Sequence, residues 1–95
     1  MYVYIPSVKK SLRDDSGASE SYVSISDRKF MDCCEEVLSD IPDTWKEYPD
    51  TKTGRMGIVD MEYLELRAVK TNEEMKHELV HLASACLHLW RLLNV

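Results

Sequence analysis

Residues 72–95, NEEMKHELVHLASACLHLWRLLNV, contain neither Gly nor Pro and predict one long helix. Apolar residues recur in this stretch at alternating spacings of four and three, the pattern of an amphipathic helix: Met75, Leu79, Leu82, Cys86, Leu89 and Leu93. A second row beside this apolar seam consists mainly of ionisable residues: Glu74, Glu78, His81, Ala85 and His88. The helix therefore has an apolar seam and, next to it, a row with chemically active groups.

The rest of the chain predicts an all-α fold, a bundle of about three helices with an extended N-terminal arm. Ser26 or Asp27 would cap a first helix over residues 27–40, which Pro42 ends. A loop over 43–57 leads to a second helix over 58–70. The turn at Thr71 and Asn72 is short, so helices two and three should be antiparallel, with Asn72 as the N-cap of the third.

The first 26 residues differ in composition from the helical part, so we divide the chain into an arm or loop over 1–26 and a helical domain over 27–95. Residues 1–7, MYVYIPS, are aromatic and β-branched, which indicates a short edge strand or an extended arm. Residues 11–21 are small and polar and predict a loop.

Charge and cysteine content narrow the environment and the partners. A net charge of -5 and a pI near 5.1 argue against nucleic acid as a partner, because phosphate contacts need clustered Lys and Arg. The three cysteines (Cys33, Cys34 and Cys86) suggest neither a disulfide framework nor a zinc motif. No segment resembles a signal peptide or a membrane span, so we expect a cytoplasmic protein without membrane contact.

Helix three has more apolar residues than one short partner helix can cover. Beside the seam lie four further apolar residues on other rows: Val80, Ala83, Leu87 and Trp90. A second copy of the chain would cover this surface. We therefore expect an oligomer of the four-helix-bundle type.

Two pairs of ionisable residues suggest a metal site. Glu62 and Glu65 lie three apart on one face of helix two, and Glu78 and His81 lie three apart on helix three. In an antiparallel hairpin the two pairs face each other, and the three carboxylates would repel one another unless a cation neutralised them. Oxygen-rich clusters of this kind bind Mg²⁺ or Mn²⁺. The alternative is that the acids are solvated or paired with neighbouring bases: Arg67, Lys70 and Lys76.

The loop before helix two carries aromatic and basic groups suited to a nucleotide. These side chains could stack on a base or meet phosphates: Trp45, Lys46, Tyr48, Lys52 and Arg55. The alternative is that Trp45 and Tyr48 anchor the loop to the helices, because Trp is usually buried.

Residues 27–93 resemble the MazG-like superfamily of all-α nucleotide pyrophosphohydrolases. That family has an ExxE motif on one helix and an ExxD motif on the next. Glu62-Tyr63-Leu64-Glu65 matches the first motif, and Glu78-Leu79-Val80-His81 matches the second except at its last position. The segment DTWKEYP before the first motif is similar to the Trp-containing segment of small members, many of them encoded by phages.

The resemblance implies a hydrolase that splits (d)NTPs or related nucleotides into a monophosphate and pyrophosphate. It implies a homodimer or homotetramer that uses Mg²⁺ or Mn²⁺. The implied metal ligands are Glu62, Glu65, Glu78 and His81, with Glu62 and Glu65 also catalytic. The implied substrate-binding residues are Trp45, Lys46, Lys52 and Arg55.

His81 replaces the family's aspartate, and histidine suits Mn²⁺, Fe²⁺ or Zn²⁺ better than Mg²⁺. The alternative function is therefore a catalytically degenerate protein of the same fold that binds a nucleotide or a protein partner.

Overall fold

The structure is a computed structural model that describes residues 2–4 and 22–94. In chain order the elements are β1 (Tyr2–Tyr4), β2 (Tyr22–Ser24), α1 (Ile25–Ser39), a 3₁₀ helix (Asp43–Glu47), α2 (Lys52–Ala68) and α3 (Asn72–Leu93). The three α-helices of the described residues confirm the predicted helical fold class. The two strands pair antiparallel, with Val3 opposite Val23. The loop predicted over 11–21 lies outside the described residues, and the extended arm stays a prediction.

The chain divides into two compact units, residues 1–32 and 33–95, with the boundary inside α1. In the first unit, the Ser24 hydroxyl accepts a hydrogen bond from the backbone N–H of Asp27 at 3.0 Å. A serine that satisfies one of the otherwise unpaired N–H groups of a first turn acts as a helix cap. Helix α1 therefore begins at Ile25, and the cap is Ser24 rather than the predicted Ser26 or Asp27.

Helix α2 begins at Lys52, so the loop predicted over 43–57 is wrong for its last residues. Thr51 starts the helix, because its side chain accepts a hydrogen bond from the Gly54 N–H at 3.0 Å. Position 54 lies inside the helix and requires a glycine, because a Cβ there would lie 1.8 Å from the Pro49 carbonyl oxygen. A glycine that predicts a loop in sequence here permits a close approach of two backbone segments.

Helices α2 and α3 form the predicted antiparallel hairpin. Arg55, near the start of α2, contacts the backbone of His88 late in α3, and Glu62, further along α2, contacts His81 earlier in α3. The cap of α3 is Thr71 rather than the predicted Asn72. Thr71 and Glu74 exchange hydrogen bonds in a capping box, which satisfies two N–H groups of the helix start.

The core of the second unit is small and centres on Trp45, Ile58 and Ala85. Partly buried apolar residues surround it: Val37, Leu38, Ile41, Tyr48, Val59 and Met61. The end of α1 reaches α3 through the buried Cys34, whose thiol lies 3.8 Å from the Val80 carbonyl oxygen.

The α3 row that faces α2 is the row of ionisable residues, not the apolar seam. Ser84 and Ala85 are fully buried, whereas Met75, Leu79 and Leu93 of the seam are 44%, 42% and 57% exposed. Small side chains let two helix backbones come close, which agrees with the burial of Ser84 and Ala85 on this side of α3. Four of the six seam residues are therefore exposed in a single chain, and Leu82 and Leu89 are half-buried. In the part of the chain that is described, no helix is both long and apolar enough to cross a membrane.

Candidate metal centre

Glu62 is the central residue of the site because it is a buried carboxylate, 2% exposed. Its Oε2 atom accepts a hydrogen bond from the Trp45 indole Nε1–H at 2.7 Å. Its Oε1 atom lies 3.9 Å from His81 Nδ1, too far for a hydrogen bond. Within residues 2–4 and 22–94 no donor reaches Oε1. A buried oxygen without a hydrogen-bond donor destabilises the fold by about 1–3 kcal/mol, so a ligand that bound Glu62 Oε1 would remove this destabilisation.

Two further carboxylates join Glu62. Glu65, one helical turn further along α2, is exposed, and Glu78 of α3 is half-buried. One oxygen of each residue lies within 4.8 Å of one oxygen of the other two. Glu78 Oε2 is also buried without a hydrogen-bond partner among the described residues. Three carboxylates therefore converge here, and two of them carry a buried oxygen without a hydrogen-bond partner in the described part of the chain.

A second group of donors shares Glu78 with the carboxylates. Donor atoms of His77, Glu78 and His81 also lie within 4.8 Å of one another. The two imidazole rings meet edge to face, with their centroids 4.4 Å apart. His77 was not among the residues predicted from sequence. The signal that indicates it is the spacing of four between His77 and His81, which places both rings on one face of a helix.

Trp45 is 1% exposed, and its ring centroid lies 5.4 Å from that of His88. A buried Trp45 agrees with the alternative drawn from the sequence, in which this side chain anchors the loop to the helices. Its indole N–H also orients Glu62. No local sequence pattern predicts this contact, because Trp45 and Glu62 are 17 positions apart in the chain.

Two of the predicted basic residues, Lys46 and Arg55, line a cavity that none of the three carboxylates lines. Arg55 donates to Asp50 at 2.6 Å and also to the carbonyl oxygen of His88. Lys46 pairs with Asp43 at 3.3 Å. With Trp45 and His88, both line a cavity of about 270 Å³. Lys52, the first residue of α2, is exposed and does not line this cavity.

Arg55 also sets the charge states around this cavity. Its hydrogen bond holds the pKa of Asp50 below the ordinary value. Burial lowers the pKa of His88, and the nearby Arg55 charge lowers it further. At neutral pH these two shifts favour the ionised form of Asp50 and the neutral form of His88.

The structure thus brings together the four residues predicted as metal ligands, Glu62, Glu65, Glu78 and His81, and adds His77 and Trp45 beside them. It places Lys46 and Arg55 at a separate cavity. Comparison of the chain with protein-family models, with curated proteins and with solved structures finds no match.

Proposed function

We propose that the protein is a metal-dependent nucleoside triphosphate pyrophosphohydrolase of the MazG-like type. The observation that supports this proposal is the convergence of Glu62, Glu65 and Glu78 within 4.8 Å. Glu62 and Glu78 each carry a buried oxygen that finds no hydrogen-bond partner among residues 2–4 and 22–94. These are the residues that match the two acidic motifs of that superfamily.

In this proposal Glu62, Glu65 and Glu78 hold Mg²⁺ or Mn²⁺, with His81 as a further ligand. Such a cation neutralises phosphate charge and makes a bound water more acidic. Glu62 has one oxygen engaged by Trp45 and is buried, so its role is to hold the cation in place. Glu65 is exposed, so it is the carboxylate that a water molecule can reach and the one we assign as general base.

The nucleotide would place its phosphates at the carboxylates and extend over the surface towards the loop before α2. Lys52 is exposed and can meet a phosphate directly. Lys46 and Arg55 would have to exchange their contacts with Asp43 and Asp50 for contacts with the substrate. Since Trp45 is buried, we assign it to the orientation of Glu62.

The test is pyrophosphate release from a panel of (d)NTPs with Mg²⁺ and with Mn²⁺. We expect turnover that Glu65→Gln abolishes, because this variant removes one charge and one proton acceptor from an exposed position. Glu73→Gln is the matched control, an exposed glutamate of α3 outside both donor groups. Absence of turnover with every nucleotide, or equal turnover in the parent and in Glu65→Gln, would rule out the proposed reaction.

The second candidate is a catalytically degenerate protein of the same fold that binds a nucleotide or a protein partner. The observation that favours it is His81 next to Glu62, at the position where the motif expects a carboxylate. His81→Asp separates the two candidates. If only this variant binds Mg²⁺, the parent is degenerate; if the parent already turns over nucleotides and the variant merely changes the preferred metal, the enzyme is active.

We also propose that the protein assembles as a homodimer or homotetramer. The support is the exposed apolar seam of α3: Met75, Leu79, Cys86 and Leu93, with Trp90 beside it at 61% exposure. Side chains of this kind in one row along one helix are typical of an interface, and a second α3 would cover them in a bundle.

A further inference from the structure

Residues 77–81, HELVH, have the spacing H-E-x-x-H on a helix. Two histidines four positions apart point to the same side of a helix and bind one Zn²⁺ ion in many metal sites, with the glutamate close to that ion. The spacing alone is weak, because a histidine pair on a helix surface needs no metal. The contacts of these residues give it more weight.

The donor atoms are already close to the separation that a bound ion requires. Ligands bound at about 2.1 Å lie at most about 4.2 Å apart. The nitrogen and oxygen donors of His77, Glu78 and His81 lie within 4.8 Å of one another, so small side-chain rotations bring them onto one ion. His77 is exposed, and both histidines line a surface cavity of about 420 Å³, which provides a path of entry.

Glu62 supplies an independent observation. Its side chain is 3% exposed, its Oε1 lies 3.9 Å from His81 Nδ1, and no hydrogen-bond donor in the described part of the chain reaches that oxygen. This buried carboxylate oxygen therefore lies beside the His81 imidazole, and Glu78 belongs to the donor groups of both Glu62 and the histidines. The set of nearby donors is then two nitrogens and two carboxylates, contributed by both helices of the hairpin.

We propose that His77 and His81, with Glu62 and Glu78, form a binding site for Zn²⁺ or a chemically similar transition-metal ion. Imidazole nitrogens favour such ions, whereas Mg²⁺ prefers oxygen ligands and keeps several waters. The site overlaps the carboxylate group of the proposed hydrolase through Glu62 and Glu78 but does not use Glu65. The inference concerns which ion the histidines select and does not depend on the proposed reaction.

The experiment is a titration of the metal-free protein with ZnCl₂, followed by NMR of the histidine side chains. All three histidines lie in α3, and His88 packs against Trp45 at the other end of the hairpin. We expect one equivalent of Zn²⁺ to shift the ring signals of His77 and His81 and to leave those of His88 in place. Rings of His77 and His81 that do not respond to Zn²⁺ would overturn the proposal.

Affinity measurements on two variants complete the test. His77→Gln changes an exposed residue, so the fold is retained, and it should weaken Zn²⁺ binding at least tenfold, since even partners outside the ligand shell contribute about 10–100-fold. Glu47→Gln, which changes an exposed glutamate of the 3₁₀ helix outside both donor groups, should leave Zn²⁺ affinity unchanged. Equal Zn²⁺ affinity in the parent and in His77→Gln would contradict the site. Zn²⁺ binding that depends on the histidines, without pyrophosphate release, supports this site and counts only against the proposed reaction. Mg²⁺-dependent turnover without a response of the histidines to Zn²⁺ supports the proposed reaction and counts only against this site.

Discussion

At the scale of single residues, the buried carboxylate of Glu62 is the main feature of the site. A buried carboxylate destabilises the fold unless both of its oxygens have partners. Glu62 is 2% exposed, and among the described residues only its Oε2 atom has one, the Trp45 indole N–H. Functional sites often keep such groups at the expense of stability, because the unsatisfied oxygen is what binds the ligand. We therefore interpret the poor satisfaction of Glu62 as the mark of a binding site.

Glu62→Gln should stabilise the metal-free protein by about 1 kcal/mol, because it removes a buried charge while its amide oxygen can still accept the Trp45 hydrogen bond. Urea denaturation of metal-free protein measures this difference. The matched control is Glu65→Gln, whose exposed side chain should change the free energy of unfolding by less than about 0.5 kcal/mol. A Glu62→Gln variant that is less stable than the control would show that the carboxylate is satisfied in the free protein.

At the scale of elements, the start of α2 positions the site. The backbone of Pro49 lies against Gly54, and Thr51 caps the helix between them. This close approach leads the chain from the 3₁₀ helix, which carries Trp45, into the helix that carries Glu62. The geometry of one tight junction therefore decides whether the indole reaches the carboxylate.

Gly54→Ala should destabilise the protein by about 3 kcal/mol, because the new Cβ would lie 1.8 Å from a backbone oxygen that has no freedom to rotate away. Gly57→Ala is the matched control in the same helix. Its Cβ would meet only the Tyr48 ring, at 3.0 Å, and Ala favours the helix over Gly by about 1 kcal/mol. Thermal unfolding of both variants provides the measurement, and equal losses in the two would contradict the proposed role of the Pro49 contact.

At the scale of the whole molecule, groups with lowered pKa values connect stability to pH. Burial lowers the pKa of His88 below 6.5, so the unfolded chain takes up this proton more readily than the folded chain. Hydrogen bonds lower the pKa of Asp50, through Arg55, and of Glu74, through Thr71. All three groups therefore make the fold less stable as the pH falls.

The contribution of His88 should be fully present above pH 6.5 and decrease as the pH falls below that value, before Asp50 and Glu74 begin to protonate. Melting temperatures between pH 7.5 and 5.5 report this window. His88→Gln should show a smaller acid-induced loss than the parent, since Arg55 contacts only the backbone oxygen at this position. The same loss in both proteins would exclude His88 as the source.

Assembly is the other property of the whole molecule. Leu93→Glu places a charge on the exposed seam of α3 and should convert the proposed oligomer into a monomer without loss of helix content. Asn94→Glu adds the same charge one position later, outside the apolar row, and should not change the mass. Light scattering at micromolar concentration distinguishes these results. A monomeric mass for the parent protein would contradict the proposed assembly.

The sequence by itself determined that the chain contains these three helices, although not where α2 begins, and which ionisable residues share a helix face. Periodicity and breaker residues are local, so the three helices, their antiparallel hairpin and the pairs Glu62/Glu65 and Glu78/His81 follow from residues close together in the chain. The loop prediction was wrong around Gly54, because a glycine is equally typical of a loop and of a close contact between two backbone segments.

Only the tertiary structure decided which face of α3 turns inwards and which groups meet Glu62. Burial of an apolar seam would favour the row with Leu79 and Leu93, but the side of α3 with the small residues Ser84 and Ala85 is the one that is buried. That choice brings Glu78 and His81 to Glu62, and the packing of the 3₁₀ helix brings the Trp45 indole. Contacts between residues far apart in the chain depend on how the helices pack, and helical periodicity, which is local, does not predict them.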